Sequence, residues 1–138
     1  MSSAIYICLL LVALPCAVQG YVSSTCLRCI CNVESGCSTS VRCGDNGRSC
    51  GPYQIQYGYW TDASSPGRGY RQCVDTFSCA ETTIQNYMNR YATYARLGHN
   101  PTCEDYARIH NGGPNGYRSS STLGYWQRIR NEGCTRYS

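Results

Sequence analysis

Twelve cysteines stand in 138 residues, and their placement constrains this chain more than any other feature. Cys8 and Cys16 fall within the first twenty residues, where the apolar run "IYICLLLVAL", residues 5–14, is followed by small residues. That run is too short to span a bilayer comfortably, and Val18 and Gly20 are placed for cleavage before Tyr21. Residues 1–20 therefore read as a secretory signal peptide. A retained membrane anchor is the competing reading, disfavoured because no basic flank or second apolar segment follows. Ten cysteines remain in residues 21–138: Cys26, Cys29, Cys31, Cys37, Cys43, Cys50, Cys73, Cys79, Cys103 and Cys134. An even number behind a secretory leader predicts five disulfides, formed in an oxidising compartment and stapling one compact domain. Their connectivity stays open, since ten cysteines allow many pairings. Each such bridge is typically worth about 2–5 kcal/mol. That offsets a core short of large aliphatic residues in a chain with thirteen tyrosines and fourteen glycines.

Cys26-x2-Cys29 also looks like half of a zinc site, with Cys31 and Cys37 able to supply the rest. The secretory leader and the even thiol count weigh against it, and His99 and His110 lie far off without zinc-finger spacing. No metal and no cofactor are expected. All twelve basic residues are arginines, and the formal net charge is +4. A moderate positive charge suits an anionic polymer such as a bacterial wall or nucleic acid, and is also ordinary for a secreted protein. Charge alone settles nothing; no nucleic-acid partner and no stable membrane insertion are expected. The sequon at Asn100 is closed by Pro101.

Along the chain, Ser23, Ser24 and Thr25 are candidate caps for a short helix over 24–35, with Leu27, Ile30 and Cys31 at helical spacing and Gly36 as its stop. Residues 38–51 read as turn and loop. "YQIQYGYW", residues 53–60, has the aromatic and branched composition of a strand or hairpin. From Ser78 to Leu97 the apolar spacing predicts one helix closed by Gly98. Thr102 is a cap for a helix over 103–110, and Thr122 for a last one with Leu123, Trp126 and Ile129 on one face. The fold class is α+β: mostly helical, with a small early β-hairpin, and disulfide-rich.

Glu34 sits at the C-terminal end of the first helix, where the macrodipole disfavours an anion. Bridged cysteines on both sides would immobilise and partly bury it, the environment in which a carboxylic acid keeps its proton for general-acid work. Asp45 follows in a turn where it would stay solvated and ionised. Two carboxylates in contrasting environments are what glycoside hydrolysis requires.

Five segments occur in order over residues 26–129: "CLRCICNVESGC", "SCGPYQIQYGYWTD", "CVDTFSCAETTIQNYMNRY", "ARIHNGGP" and "TLGYWQRI". This set resembles the invertebrate-type lysozymes, the destabilase-like glycoside hydrolases, over nearly all of residues 21–138. The resemblance implies a lysozyme-like fold and a secreted muramidase, cleaving the β-1,4 bond between N-acetylmuramic acid and N-acetylglucosamine in peptidoglycan with retention of configuration. It makes Glu34 of "ESGC" the proton donor. The family's second carboxylate is an aspartate just before "SCGxxQI"; here that loop reads "RCGDNGRSCG", and Asp45 is the only carboxylate in it, displaced by a small shift of register. The resemblance also places Gln56, Tyr57, Gly58, Tyr59, Trp60, Thr61, Asp62 and Tyr87 along the sugar cleft, with His110, Asn111 and Gly112 facing it. Family members with more cysteines carry them at the positions of Ala63, Thr83 and Tyr117 and near Leu97. Two bridges fewer imply a looser loop over 62–72. Some members are credited with an isopeptidase that pairs a serine with a lysine base; this chain has no lysine, which leaves Ser49 a loop hydroxyl. The competing function is a catalytically weak or inactive lysozyme-like scaffold that binds peptidoglycan or chitin-like glycans, or acts as a cationic antimicrobial.

Overall fold

In the computed structural model, which describes residues 21–40 and 43–138, the first element is helix α1, Ser24–Ser35. The signal segment assigned to residues 1–20 lies outside the described residues. The Ser23 hydroxyl caps α1 by accepting from the Cys26 N–H at 3.0 Å. Gly36 ends it at φ 73°, a left-handed conformation that glycine adopts at little cost. One face of α1 carries Cys26, Leu27, Cys29, Ile30 and Cys31, all buried.

The β segment is a two-stranded antiparallel sheet, β1 (Ser49–Cys50) and β2 (Ile55–Gln56), with Ser49 opposite Gln56 and Cys50 opposite Ile55. Gly44 adds an isolated bridge to Ser49. The strand reading of residues 53–60 holds only as far as Gln56, because Tyr57–Asp62 form a helix, α2. Its rings suit a sheet by composition, but a helical turn sends Trp60 into the core, where its indole N–H donates to the Pro66 carbonyl at 3.0 Å. Packing overrides a propensity of this size.

Helices α3 (Tyr70–Val74), α4 (Phe77–Tyr91), α5 (Tyr94–Leu97) and α6 (Cys103–Gly112) follow, then two 3₁₀ turns (Gly116–Arg118 and Ser120–Thr122) and α7 (Leu123–Asn131). The single helix expected over 78–97 is broken at Ala92, whose backbone leaves the helical region at φ −97° and ψ 60°. Thr93 then restarts the chain as α5 by capping the Arg96 N–H. The α6 cap is reciprocal: the Thr102 hydroxyl accepts from Asp105 N–H, and the Asp105 carboxylate accepts from Thr102 N–H. Thr122 precedes α7 without capping it by its side chain. Its hydroxyl instead donates to the Gly116 carbonyl at 2.7 Å and accepts from Arg108 at 2.9 Å. The buried face of α7 is Tyr125, Trp126 and Ile129, while Leu123 stays 51% exposed.

Five disulfides join the ten cysteines: Cys26–Cys103, Cys29–Cys134, Cys31–Cys37, Cys43–Cys50 and Cys73–Cys79. The zinc reading of Cys26-x2-Cys29 fails on this pairing, since each of the two is bonded to a distant partner. Two bridges are long-range, spanning 77 and 105 residues, and both start from α1. The other three close short local loops. Ala63 and Thr83, positions expected to lack a family bridge, are both buried. The loop between α2 and α3 is held by Ser65 N–H on the Trp60 carbonyl and by Gly67, which lies against the Cys73–Cys79 bridge.

Cross-links that close long loops restrict the unfolded chain most. Removing Cys26–Cys103 as a Cys→Ala pair is expected to cost about 4–5 kcal/mol, and removing Cys43–Cys50 only about 2 kcal/mol. Denaturant titration of the two double variants checks the order, and equal losses would show that loop length does not set it.

Candidate active site

Helix α1 delivers Glu34 in its last turn, directly before the Gly36 stop. The Cys37 N–H bonds to the Cys31 carbonyl, and the Cys31–Cys37 disulfide closes over the same turn. The carboxyl group is therefore held at a fixed helix end. Its side chain keeps 18% of its surface, enough for contact from one direction only. Tyr125 of α7 donates its phenolic proton to Glu34 Oε2 at 2.7 Å. Oε1 has no protein partner among the described residues.

His110, near the C-terminal end of α6, packs behind the carboxylate with its side chain only 2% exposed. Its Nδ1 accepts from the Tyr59 hydroxyl at 2.9 Å, and its Nε2 donates to the Tyr53 carbonyl at 2.9 Å. These partners assign the Nε2–H tautomer, because a carbonyl only accepts. Nε2 lies 3.6 Å from Glu34 Oε2, but its proton is committed to Tyr53. His110 thus acts as a wall that orients Tyr59. The Tyr59 ring stacks on Tyr87 of α4, with centroids 3.7 Å apart and planes 6° from parallel.

Asp45 comes from the loop closed by Cys43–Cys50. Gly44 and Ser49 exchange both backbone hydrogen bonds, at 2.7 and 3.2 Å, so that residues 45–48 form a tight turn. The turn requires left-handed backbone at Asp45 (φ 53°), Asn46 (φ 57°) and Gly47 (φ 84°), the residue types that tolerate it best. The Asp45 carboxylate is exposed, paired to Arg48 at 3.1 Å and approached by the Gln56 amide at 3.4 Å. The Arg48 pair is open to solvent and holds little energy.

Glu34 and Asp45 line the same open cleft, whose volume is about 570 Å³. Of the residues expected along it, Gln56, Gly58, Tyr59, Tyr87, His110, Asn111 and Gly112 lie on its walls. Tyr57, Trp60, Thr61 and Asp62 do not, because the α2 helix turns them away. Trp60 is in the core, Tyr57 packs edge-on to Tyr70, Thr61 donates back to the Gly58 carbonyl, and Asp62 accepts from the Tyr91 hydroxyl. Ser49, Gln54 and Gly113 also line the cleft, and sequence reasoning did not place them there. Tyr125 was missed as well. It precedes Trp126 on the buried face of α7, and a 3.6-residue period started at Thr122 in place of Leu123 would have found it.

The chain is similar to known proteins in both sequence and fold. The Destabilase family model matches residues 23–132. Lysozyme 1 of Crassostrea virginica is 49% identical over 83% of this chain, which spans 62% of that protein's length. The lysozyme of Magallana gigas is 46% identical, with 84% of each chain covered. Among solved structures, Meretrix lusoria lysozyme in complex with Aeromonas hydrophila PliI superposes with a TM-score of 0.77 at 44% identity, covering 88% of this chain and 99% of that one.

The buried tyrosines in and around the cleft make stability fall at alkaline pH. Burial pushes Tyr87 and Tyr106 up to about 12. Burial first, and then neighbours that include the Glu34 carboxylate, push Tyr59 and Tyr125 well above the usual phenol range. Folded values above the unfolded value of about 10 mean that the native state keeps protons the unfolded chain releases. The stabilisation is complete below pH of about 10 and is lost as pH rises through the folded values. No lysine titrates in that window. The guanidinium chloride midpoint should be level between pH of about 8 and 9 and fall steeply by about 11. A level midpoint at the upper value would refute the coupling.

Proposed function

The chain belongs to the destabilase family of invertebrate-type lysozymes, and from that membership and the cleft we infer that it is a glycoside hydrolase of the lysozyme type. Its substrate is bacterial peptidoglycan, cut at the β-1,4 bond between N-acetylmuramic acid and N-acetylglucosamine, in antibacterial defence or in digestion of bacteria. The observation that carries this reading is the pairing of two unlike carboxylates across one open cleft: Glu34 recessed and bonded to a phenol, Asp45 exposed and bonded to polar donors.

Glu34 gives its proton to the glycosidic oxygen. As the proton leaves, negative charge grows on the carboxyl group, and Tyr125 meets it with a hydrogen bond that is charge-assisted in the product of the step. Tyr125 is a positioning residue: it ties down Oε2 and leaves Oε1 for the substrate. Asp45 faces the oxocarbenium-like sugar as nucleophile or electrostatic stabiliser, and the configuration is retained. Tyr59, backed by the buried Tyr87 stacked on it, gives the cleft an apolar wall for a pyranose ring, and Gln56, Asn111 and the Gly112 backbone offer polar contacts to the N-acetyl groups.

The site of action is outside the cell. The ten bridged cysteines suit an oxidising compartment, and no helix of the described residues is long and apolar enough to cross a membrane.

Glu34→Gln is expected to lower wall lysis by about 10²–10⁴-fold while leaving wall binding intact. Lysis that survives this change would assign the effect to the cationic surface and overturn the enzymatic reading. Asp45→Asn should lower kcat to a comparable degree. Tyr125→Phe is expected to reduce kcat about ten-fold or more with KM nearly unchanged, from the loss of one charge-assisted bond. A change confined to KM would place Tyr125 in substrate binding instead.

A further inference from the structure

A ladder of aromatic rings and guanidinium groups leaves the cleft and continues over the surface. It starts inside, with the stacked Tyr59 and Tyr87. Tyr91, one turn further along α4, packs on Tyr87 with centroids 4.8 Å apart. The guanidinium carbons of Arg90 and Arg96 lie 5.1 and 5.8 Å from the Tyr91 ring centre. Arg96 also reaches Tyr117, at 6.0 Å, and Arg118 covers that same ring at 5.7 Å. Tyr117 in turn lines a second cavity of about 500 Å³.

The charges along this path are uneven. The catalytic end of the cleft carries Glu34 and Asp45. The ladder carries Arg90, Arg96 and Arg118, all exposed, with Asp62 beside Arg90. Glu104 and Asp105, in the cavity that Tyr117 lines, are paired to Arg108, Arg136 and His99. Arg96 doubles as a strut, donating to the Tyr91 and Pro114 carbonyls at 2.9 and 2.7 Å and to Asn115 at 3.0 Å. Neutral acceptors leave its charge in place. The Arg118 bond to Asn115 is long, at 3.5 Å, and Arg90 shares Asp62 at 3.8 Å. Neither of these guanidinium groups is locked to a carboxylate in hydrogen-bond contact. Guanidinium groups lie over the Tyr91 and Tyr117 rings, so this stretch is suited to carboxylates more than to the face of a sugar ring.

We propose that the Tyr91–Arg96–Tyr117 ladder, flanked by Arg90 and Arg118, is a subsite for the acidic peptide stems that hang from muramic acid in peptidoglycan. The proposal rests on the reading of the cleft as a peptidoglycan site and narrows it, from glycan strands in general to strands that bear peptides. Neutral sugar rings lie over the two carboxylates while the anionic substituents meet the arginines. A peptide-free or chitin-like strand leaves the ladder unused.

The test is co-sedimentation with sacculi free of teichoic acid, before and after an amidase has removed the peptides, using Glu34→Gln protein so that the wall is not digested. That protein should bind intact sacculi roughly ten-fold more tightly than stripped ones, as expected for a few exposed charge contacts. Adding Arg90→Gln and Arg118→Gln should erase the preference, leaving both sacculi bound as the parent binds stripped ones. Arg90→Lys with Arg118→Lys should keep most of it. Equal binding of intact and stripped sacculi by the parent overturns the proposal. So does an equal loss on both sacculi, or a preference seen only on walls that carry teichoic acid. Failure of the lysozyme reading shows separately, as absence of Glu34-dependent turnover of stripped strands by the otherwise unaltered protein, and the binding comparison does not depend on that turnover.

Discussion

Two disulfides hold helix α1 against the rest of the molecule, and the site depends on where they put it. Cys26–Cys103 ties its first turns to the start of α6, and Cys29–Cys134 ties its middle to the segment after α7. Helix α6 carries His110 and α7 carries Tyr125, so the same cross-links that anchor α1 bring those two side chains to Glu34. A twelve-residue helix is marginal alone in water. Here its position is set by covalent bonds and by burial of Leu27 and Ile30. The third bridge from this helix, Cys31–Cys37, closes over the last turn, which carries Glu34.

The second carboxylate is held by a different device. Cys43–Cys50 closes the neck of a loop whose tip has three successive residues in left-handed backbone. That geometry determines where Asp45 projects, at the rim of the cleft that Glu34 also lines. One carboxyl group is recessed on a helix and the other exposed on a turn, so burial and bonding differ between them by construction.

Much of this was legible in the residues. Ser23 and Gly36 bounded α1, Thr102 with Asp105 bounded α6, and the even cysteine count foretold complete pairing, because caps and bridges are local or arithmetic facts. Two elements misled. Tyr57–Asp62 has the composition of a strand but folds as a helix, since core packing of Trp60 outweighs β preference. The apolar spacing of 78–97 runs through Ala92 without a break, whereas the backbone turns there and lets Arg96 brace the Pro114 loop. Tyr57, Trp60, Thr61 and Asp62, which the resemblance set on the cleft wall, all stand on α2 and make their contacts elsewhere.

By itself the sequence determined the staples, the helix boundaries set by capping residues, and the family, for each of these is written in neighbouring residues. Only the tertiary structure decided which cysteines pair, that Tyr125 and not Leu123 faces inward to hold Glu34, and that His110 spends both ring nitrogens on Tyr59 and Tyr53. Those partners are separated by 91, 51 and 57 residues. No local pattern encodes such a contact; it exists because the long-range bridges and a shared core bring distant helices to one place.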